Sequence, residues 1–306
     1  MRVLVTGLGS IARKHITALR KLPGDVRIQA LRSASGKDAA AEPGVDSIFS
    51  WDEVVQPDFI LISNPTAVHR ATIEQALAYR CPLLIEKPIF HKLGAEEEAV
   101  LAQIRASGVQ TYVACNLRFH PVVLFLKDTL KGGGLRVQEV SAYCGSYLPA
   151  WRPGTDFRAG YSANPELGGG VHLDLIHELD YLNFIWGLPA GVQSLVKNQS
   201  ALSIAAADSA RYLLDYGRFS ASVTLNYFRR DARRTVEIVL EDDTLTGDLI
   251  RCTVTRHSDG TEIFRAADFT MADTYVAQMD YFLHHNQTKM MNDADEASSV
   301  LKIALT

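Results

Sequence analysis

The alternation of apolar and polar positions divides the chain into two halves of different character. Over the first ~115 residues, short continuous apolar runs alternate with amphipathic stretches. Val3–Thr6 reads as a buried strand, and Ser10–Leu22 as a helix ended by Pro23-Gly24. Val26–Leu31 and Asp58–Ser63 are a second and a third strand. Ala67–Tyr79 is a helix for which Thr66 is the expected N-cap. Leu83–Ile85, Gly94–Ala106 and Gln110–Cys115 follow as strand, helix and strand. Continuous apolar strands separated by helices describe a parallel sheet covered on both faces.

After Asn116 the pattern changes. Pro121–Lys131 reads as a helix ended by Gly132-Gly133-Gly134, and Leu135–Tyr147 alternates like a strand. Leu148–Gly170 is irregular and rich in glycine, proline and aromatics. His172–Trp186 reads as a helix closed by Gly187-Leu188-Pro189. From Val192 to Phe264 come five or six strand-like runs, joined at Tyr216-Gly217-Arg218, Glu241-Asp242-Asp243 and Ser258-Asp259-Gly260. Short turns between successive strands mean a mainly antiparallel sheet. Ala272–Asn286 and Ala294–Leu305 look helical. The expected architecture is an α/β domain over residues 1–117 and an α+β domain over residues 118–306, the second built on a large open sheet with helices on one face.

Composition narrows the function. A length of 306 residues suits two domains, and 47 % hydrophobic with 22 % charged residues is ordinary for a soluble globular protein. The net charge of −4 provides no global basic field for nucleic acid or an anionic membrane. No run approaches the ~20 apolar residues of a membrane span. Arg2–Thr6 meets a glycine too soon to read as a signal peptide. Cys81, Cys115, Cys144 and Cys252 lie far apart without metal-ligand spacing, as expected of reduced thiols in the cytoplasm.

Candidate chemistry sits at the ends of the first-half strands. Gly7-Leu8-Gly9-Ser10-Ile11-Ala12 follows the first strand and opens the first helix. Gly7 permits the tight turn, Gly9 lets backbone approach a pyrophosphate, and Ala12 allows close helix packing, as in a Rossmann dinucleotide-binding turn. The second strand leads into Leu31-Arg32-Ser33-Ala34-Ser35, where a ribose-binding carboxylate usually stands. A guanidinium with two hydroxyls suits a 2′-phosphate, so NADP is the expected cofactor, with NAD left open. Asn64, Pro65 and His69 follow the third strand beside the cofactor, and for His69 a direct contact and a place on a helix face weigh equally. Glu86-Lys87-Pro88 ends the fourth strand. Lys87 there can hold a substrate oxygen and stabilise a developing alkoxide, and Glu86 can pair with it or orient a neighbour. The fifth strand ends at Asn116, placed to touch cofactor or substrate, and Arg118, suited to an anionic or polyhydroxyl substrate.

In the second half, Gly168-Gly169-Gly170 offers a backbone that can approach a ligand closely. Asp174 and His177 follow three apart on one expected helix face, with the carboxylate favoured by the helix dipole and the histidine matched to proton transfer. His172, Asp174 and His177 are also metal-ligand types. Their spacing matches no standard zinc motif, and His177-Glu178-Leu179-Asp180 is not the HExxH pattern, so no metal is expected. Trp151 and Tyr161 could stack on a sugar and Arg152 and Arg158 could hold a carboxylate or phosphate; a loop folded on its own aromatics is the alternative.

Taken together, Gly7-x-Gly9-x-x-Ala12, Asn64-Pro65 with His69, Glu86-Lys87-Pro88, and Gly168-Gly169-Gly170 leading to Asp174 and His177 resemble the glucose–fructose oxidoreductase / inositol dehydrogenase (Gfo/Idh/MocA) family over nearly the whole length. The resemblance implies a Rossmann domain followed by a sheet domain that forms a homodimer or homotetramer interface. It implies an NAD(P)-dependent dehydrogenase or reductase acting on the CH–OH group of a sugar, sugar derivative or sugar nucleotide. Lys87 would be the central catalytic and cofactor-contacting lysine, often before a cis proline, His177 the acid/base and Asp174 an assisting carboxylate. Many members place that Asp and His four apart. The spacing of three here is similar to a subgroup with an Asp-Leu-Ser-His-Glu-Leu-Asp-Tyr helix, in which Ile176 replaces the serine and the Trp151–Tyr161 segment looks like the substrate loop. The same resemblance leaves open an NAD-dependent glycosidase and a non-catalytic sugar or dinucleotide sensor.

Overall fold

The computed structural model describes residues 1–33, 41–132, 134–285 and 289–306. Ala34, Ser35, Gly133 and Asn286, each part of an expectation above, lie outside the described residues. The chain forms two compact units, Met1–Asn116 with Met271–Ser298 and Leu117–Thr270 with Ser299–Thr306.

The first unit is built on six parallel strands: β1 (Arg2–Thr6), β2 (Arg27–Leu31), β3 (Val45–Ile48), β4 (Phe59–Ile62), β5 (Leu83–Glu86) and β6 (Thr111–Ala114). Their order is β3-β2-β1-β4-β5-β6, the doubly wound arrangement of a Rossmann domain. Every residue of β4, β5 and β6 is buried, which is why they read as unbroken apolar runs. The helices are α1 (Ser10–Lys21), α2 (His69–Ala76) and α3 (Ala95–Ser107). Sequence reading misses β3. It is an edge strand of four residues that buries only Val45 and Ile48, too little pattern to register. Thr66 is not the cap of α2. Pro65 is followed by a 3-10 turn over Thr66–Val68, Thr66 is buried in it, and α2 begins at His69 without a side-chain cap.

The second unit carries α4 (Pro121–Lys131), β7 (Val137–Tyr147), two helices α5 (Val171–Asp174) and α6 (His177–Trp186), and β8 (Gly191–Lys197). Strands β9 (Ser209–Asp215), β10 (Ser220–Asn226), β11 (Phe228–Leu240), β12 (Thr244–Asp248), β13 (Thr253–Arg256) and β14 (Glu262–Arg265) complete a sheet ordered β14-β13-β12-β11-β7-β10-β9-β8. Among the described residues of this sheet, β7 and β10 pair in parallel and the other pairs are antiparallel. Ala210, Tyr212 and Leu214 of β9 and Ala221, Val223 and Leu225 of β10 alternate inward on one face. Leu195 and Leu213 are each 48 % exposed.

Two buried ion pairs anchor α6. Arg118 lies 1 % exposed, with Nε and Nη2 donating to the Asp180 carboxylate at 2.8–3.2 Å. Glu178, fully buried, accepts from Arg234 Nε at 2.7 Å and Nη2 at 2.9 Å. Two-point pairing of this kind fixes orientation, and removing one partner leaves a buried charge uncompensated.

The chain then forms α7 (Met271–His285) and α8 (Ala294–Ala304). Hydrophobic pattern alone gives everything after residue 117 to the second domain, yet 271–298 packs within the first unit. Phe282 meets Phe59 of β4 edge-on at 5.0 Å. Val113 of β6 donates its N–H to the Asn292 carbonyl at 2.8 Å, and Asn292 Nδ2 donates back to the Val113 carbonyl at 2.7 Å. Periodicity shows that a helix has an apolar face; it does not say which sheet covers it.

His120 caps α4. Its Nδ1 accepts from the Val122 N–H and its Nε2 bonds the Leu249 carbonyl at 3.1 Å. Burial, then the Arg234 charge, push the imidazole down to about 4 from 6.5. Because the folded state binds this proton less readily than the unfolded chain, stability present near neutral pH falls as pH drops through that window. The expected contribution is on the order of 2 kcal/mol. Urea unfolding of wild type and His120→Gln at about pH 7 and about pH 4 measures it. The acid-induced loss should be smaller in the variant by that amount; equal losses refute the assignment.

Candidate active site

Parallel strands deliver their carboxyl ends to one edge, and there the first unit gathers its ligand chemistry. β1 passes into Gly7, which sits at φ +80°, and a Cβ there would lie 3.1 Å from the Asn64 Cα. Glycine is therefore required both by conformation and by close approach. Gly9 is different. It stands at the N-cap of α1 with no side-chain cap, and among the described residues an added Cβ would meet nothing within 4 Å. The first-turn N–H groups after it, at Ser10 and Ile11, have no intrahelical acceptor, and the helix dipole adds positive potential. Ala12 is fully buried, which lets the helix sit close to the sheet. An uncapped helix N-terminus with open space before it fits a dinucleotide pyrophosphate.

The residues around this seat divide into exposed and framing groups. Arg32 is buried. It is 8 % exposed, Nη1 donates to Ser47 Oγ at 3.2 Å, and its guanidinium lies 6.0 Å from the Phe49 ring centroid. Ser33 and Pro65 are exposed. Asn64 Nδ2 donates to Thr72 Oγ1 at 2.7 Å, while Oδ1 is a buried acceptor with no partner among the described residues. His69 departs from the direct-contact alternative. It is fully buried with both ring nitrogens facing backbone carbonyls, Ile89 at 3.2 Å and Asn64 at 3.0 Å, and burial lowers its pKa. It braces the Asn64 turn from behind. Asn116 is likewise buried, its Nδ2 donating to Thr274 Oγ1 at 2.7 Å in the first turn of α7.

At the end of β5, Lys87 is half-buried and the Lys87–Pro88 peptide is cis. Glu86 is 7 % exposed. One carboxylate oxygen faces His15 Nε2 at 2.5 Å, and the other accepts the Lys87 N–H at 3.1 Å. His15 escapes sequence reading, although its spacing from Ala12, Ile16 and Leu19 places it on the buried face of α1.

In the second unit, the expected helix over 172–186 is interrupted. α5 ends at Asp174, Leu175 and Ile176 break the run, and His177 is the first residue of α6. Asp174 thus closes a single turn and does not sit at the start of a long helix, so the dipole argument does not apply to it. Its carboxylate is held by the Tyr227 hydroxyl, which donates at 2.5 Å. Tyr227 is fully buried, and burial followed by the Asp174 charge raises its phenol pKa. Sequence reading misses it, though strand alternation continues the inward row Ala221, Val223, Leu225 to this position. His177 is 9 % exposed, and the half-buried His172 has its pKa lowered by burial.

The glycine run also serves the protein itself. Gly168 and Gly170 lie at φ +89° and +134°, and a Cβ on Gly169 would collide with the Tyr161 carbonyl. The run is folded onto its own loop, and Tyr161 donates its hydroxyl to the Gly168 carbonyl at 2.8 Å. Trp151, 39 % exposed, donates Nε1 to Ser146 Oγ at 2.8 Å and meets Tyr227 edge-on at 5.3 Å, which joins it to Asp174. Arg152 and Arg158 are exposed, the latter over the Phe157 ring at 4.6 Å. Arg118 does not offer a charge to substrate; its guanidinium is committed to Asp180 and lies 5.1 Å from the Phe184 ring centroid. Among the described residues no group of three or more His, Cys, Asp or Glu could hold a metal ion.

Residues 1–114 match the model of the GFO_IDH_MocA oxidoreductase family, NAD-binding Rossmann fold. The similarity to the Gfo/Idh/MocA oxidoreductase family is thus carried by residues 1–114. An uncharacterized oxidoreductase, YrbE, of Bacillus subtilis (strain 168) is 28 % identical over 191 residues, 60 % of this chain and 53 % of that protein. The chain spans about half the length of the curated relatives it matches. The structure of a UDP-N-acetylglucosamine 3-dehydrogenase from Acidithiobacillus ferrooxidans superposes with a TM-score of 0.78 at 20 % identity, covering 100 % of this chain and 95 % of that one. A levoglucosan dehydrogenase in complex with NADH and levoglucosan gives 0.82 at 15 % identity, covering 100 % and 97 %. At such identities the structural likeness concerns the fold. Arg118, buried and paired with Asp180, is a framework residue by this geometry. Arg118→Ala should cost the second unit about 3–5 kcal/mol of stability in urea unfolding. Wild-type stability combined with a raised KM would return Arg118 to the substrate.

Proposed function

We propose that this protein is a nicotinamide-dependent oxidoreductase that transfers hydride between nicotinamide and a hydroxyl-bearing carbon of a sugar, sugar derivative or sugar nucleotide. The carrying observation is the open, uncapped N-terminus of α1 at Gly9 on the same sheet edge as Lys87. When bound, the nicotinamide accepts or donates the hydride. Lys87 holds the substrate oxygen and stabilises the alkoxide that develops on it. His177 takes the hydroxyl proton as the carbonyl forms and returns it in the reverse direction. Asp174, fixed by Tyr227, positions a neighbouring hydroxyl, and Trp151 covers an apolar sugar face. Arg32 and Ser33, in place of a carboxylate after β2, favour a 2′-phosphate and hence NADP over NAD. The likeness to a sugar-nucleotide dehydrogenase and an anhydrosugar dehydrogenase supports screening those two substrate classes first.

We assign the exposed face of the eight-stranded sheet, with Leu195 and Leu213, to a homo-oligomer contact. No helix of the described chain is long and apolar enough to cross a membrane.

A screen of sugars and sugar nucleotides with NADPH, NADH and their oxidised forms tests the reading. Lys87→Met and His177→Gln should each lower kcat by about 10²–10⁴-fold while the proteins remain folded. Turnover indifferent to both substitutions removes the assignment. Turnover without net change of the added nucleotide keeps the site and replaces simple dehydrogenation with an oxidise–eliminate–reduce cycle. Tighter NADPH than NADH binding, narrowed in Arg32→Ala, supports the cofactor preference; equal affinities contradict it.

A further inference from the structure

His15 lies on α1 five residues after the first helical residue, Ser10, and its side chain is fully buried. Its Nε2 meets Glu86 Oε1 at 2.5 Å, and the Glu86 side chain is itself 9 % exposed. The second Glu86 oxygen accepts the backbone N–H of Lys87 at 3.1 Å. A carboxylate in such a place is costly unless donors surround it, and here the His15 ring and the Lys87 amide face its two oxygens. His15 Nδ1 is buried without a partner among the described residues. The ring's polar capacity is thus directed through Nε2 alone. The tautomer with its hydrogen on Nε2 donates to Glu86 and leaves no buried N–H unmatched. Tyr275 of α7 closes the ring from the side, edge-on at 5.4 Å. Burial, then the Glu86 charge, raise the Tyr275 phenol pKa, which keeps that neighbour neutral.

This chain of contacts links two things that catalysis needs in register. α1 presents the dinucleotide seat at its N-terminus, and β5 presents Lys87 at its carboxyl end. A helix and a strand that touch only through apolar side chains can slide by fractions of an ångström at little cost. A short, directional, charge-assisted bond cannot. We propose that His15 is a positioning residue: through Glu86 it fixes the Lys87 backbone against α1, so that the lysine is aimed relative to the nucleotide seat on the same helix. The inference rests on the catalytic reading of Lys87 for its kinetic consequence, but not for its structural one.

The test uses His15→Met, which keeps bulk and loses the donor, His15→Gln, which restores a donor near the Nε2 position, and Glu86→Gln, which removes the charge without opening a cavity. Kinetically, His15→Met should lose about 10²-fold in kcat, as expected when a reacting group is displaced by about 1 Å, with sugar KM and nucleotide Kd little changed. His15→Gln should regain most of that loss. In a Glu86→Gln background, His15→Met should add little, because the path from His15 to Lys87 is already cut. A readout independent of turnover is the NMR resonance of ¹³C-dimethylated Lys87, assigned by its absence in Lys87→Arg. It should shift or broaden in both His15→Met and Glu86→Gln while the other lysine resonances stay. If His15→Met does not fold, Glu86→Gln alone must move the Lys87 signal. An unmoved Lys87 resonance overturns the proposal. So does a His15→Gln variant as slow as His15→Met, or a loss carried by nucleotide Kd. Absence of wild-type turnover with every sugar refutes the dehydrogenase reading instead, and the NMR arm then decides the role of His15 by itself.

Discussion

A parallel strand can hand its chain onward at only one edge of its sheet, and the chemistry of the first unit depends on that constraint. Five of the six strands end there beside a residue of interest: β1 at Gly7, β2 at Arg32, β4 at Asn64, β5 at Lys87 and β6 at Asn116. The strands behind the edge are mainly apolar, and the residues of β4, β5 and β6 are all buried. Local support at the edge comes from fully buried side chains. His69 sits between the Ile89 and Asn64 carbonyls, Thr274 holds Asn116, and His15 holds Glu86.

The second unit meets a different difficulty. Its helix α6 carries four polar or charged residues in its first turns, His177, Glu178, Asp180 and Asn183, and all are buried. Two arginines resolve the two acidic ones. Arg234 from β11 takes Glu178 and Arg118 takes Asp180, each by two guanidinium nitrogens. Replacing either arginine strands a carboxylate, so these pairs fix the helix on which His177 stands even if an apolar substitute of both partners would be as stable. Tyr227 gives Asp174 the same service from the end of β10, through a neutral hydroxyl.

Much of this was legible in the residues. The strand–helix alternation of the first half and the turn-linked strands of the second reflect burial, and burial writes itself into apolar spacing. The Gly7–Ala12 turn and the Lys87 position were legible because they depend on local geometry. Failures occurred where tertiary partners decide. Arg118 looked like an anion holder because its partner, Asp180, lies 62 positions away. Thr66 looked like a cap, but Pro65 sets a 3-10 turn first. Gly168–Gly170 looked open to a ligand, whereas their neighbour is the Tyr161 turn. Apolar periodicity ran unbroken from His172 to Trp186 and hid the break at Leu175–Ile176. The return of α7 to the first unit was equally invisible, since Phe282 would be as buried against either sheet.

The seat at the start of α1 is the claim on which the functional account stands, and Gly9 isolates it. The residue has φ −80°, open to any side chain, and among the described residues an added Cβ meets no atom within 4 Å beyond its own chain neighbours. Gly9→Val should therefore unfold at the same urea concentration as wild type while filling the space assigned to the pyrophosphate. Nucleotide fluorescence titration of the two proteins with NADPH and NADH is the most direct measurement. Saturable binding by wild type, lost by about 10²-fold or more in an equally stable Gly9→Val, is the predicted result. Wild-type affinity in Gly9→Val, or no binding of either nucleotide by wild type, would contradict the account.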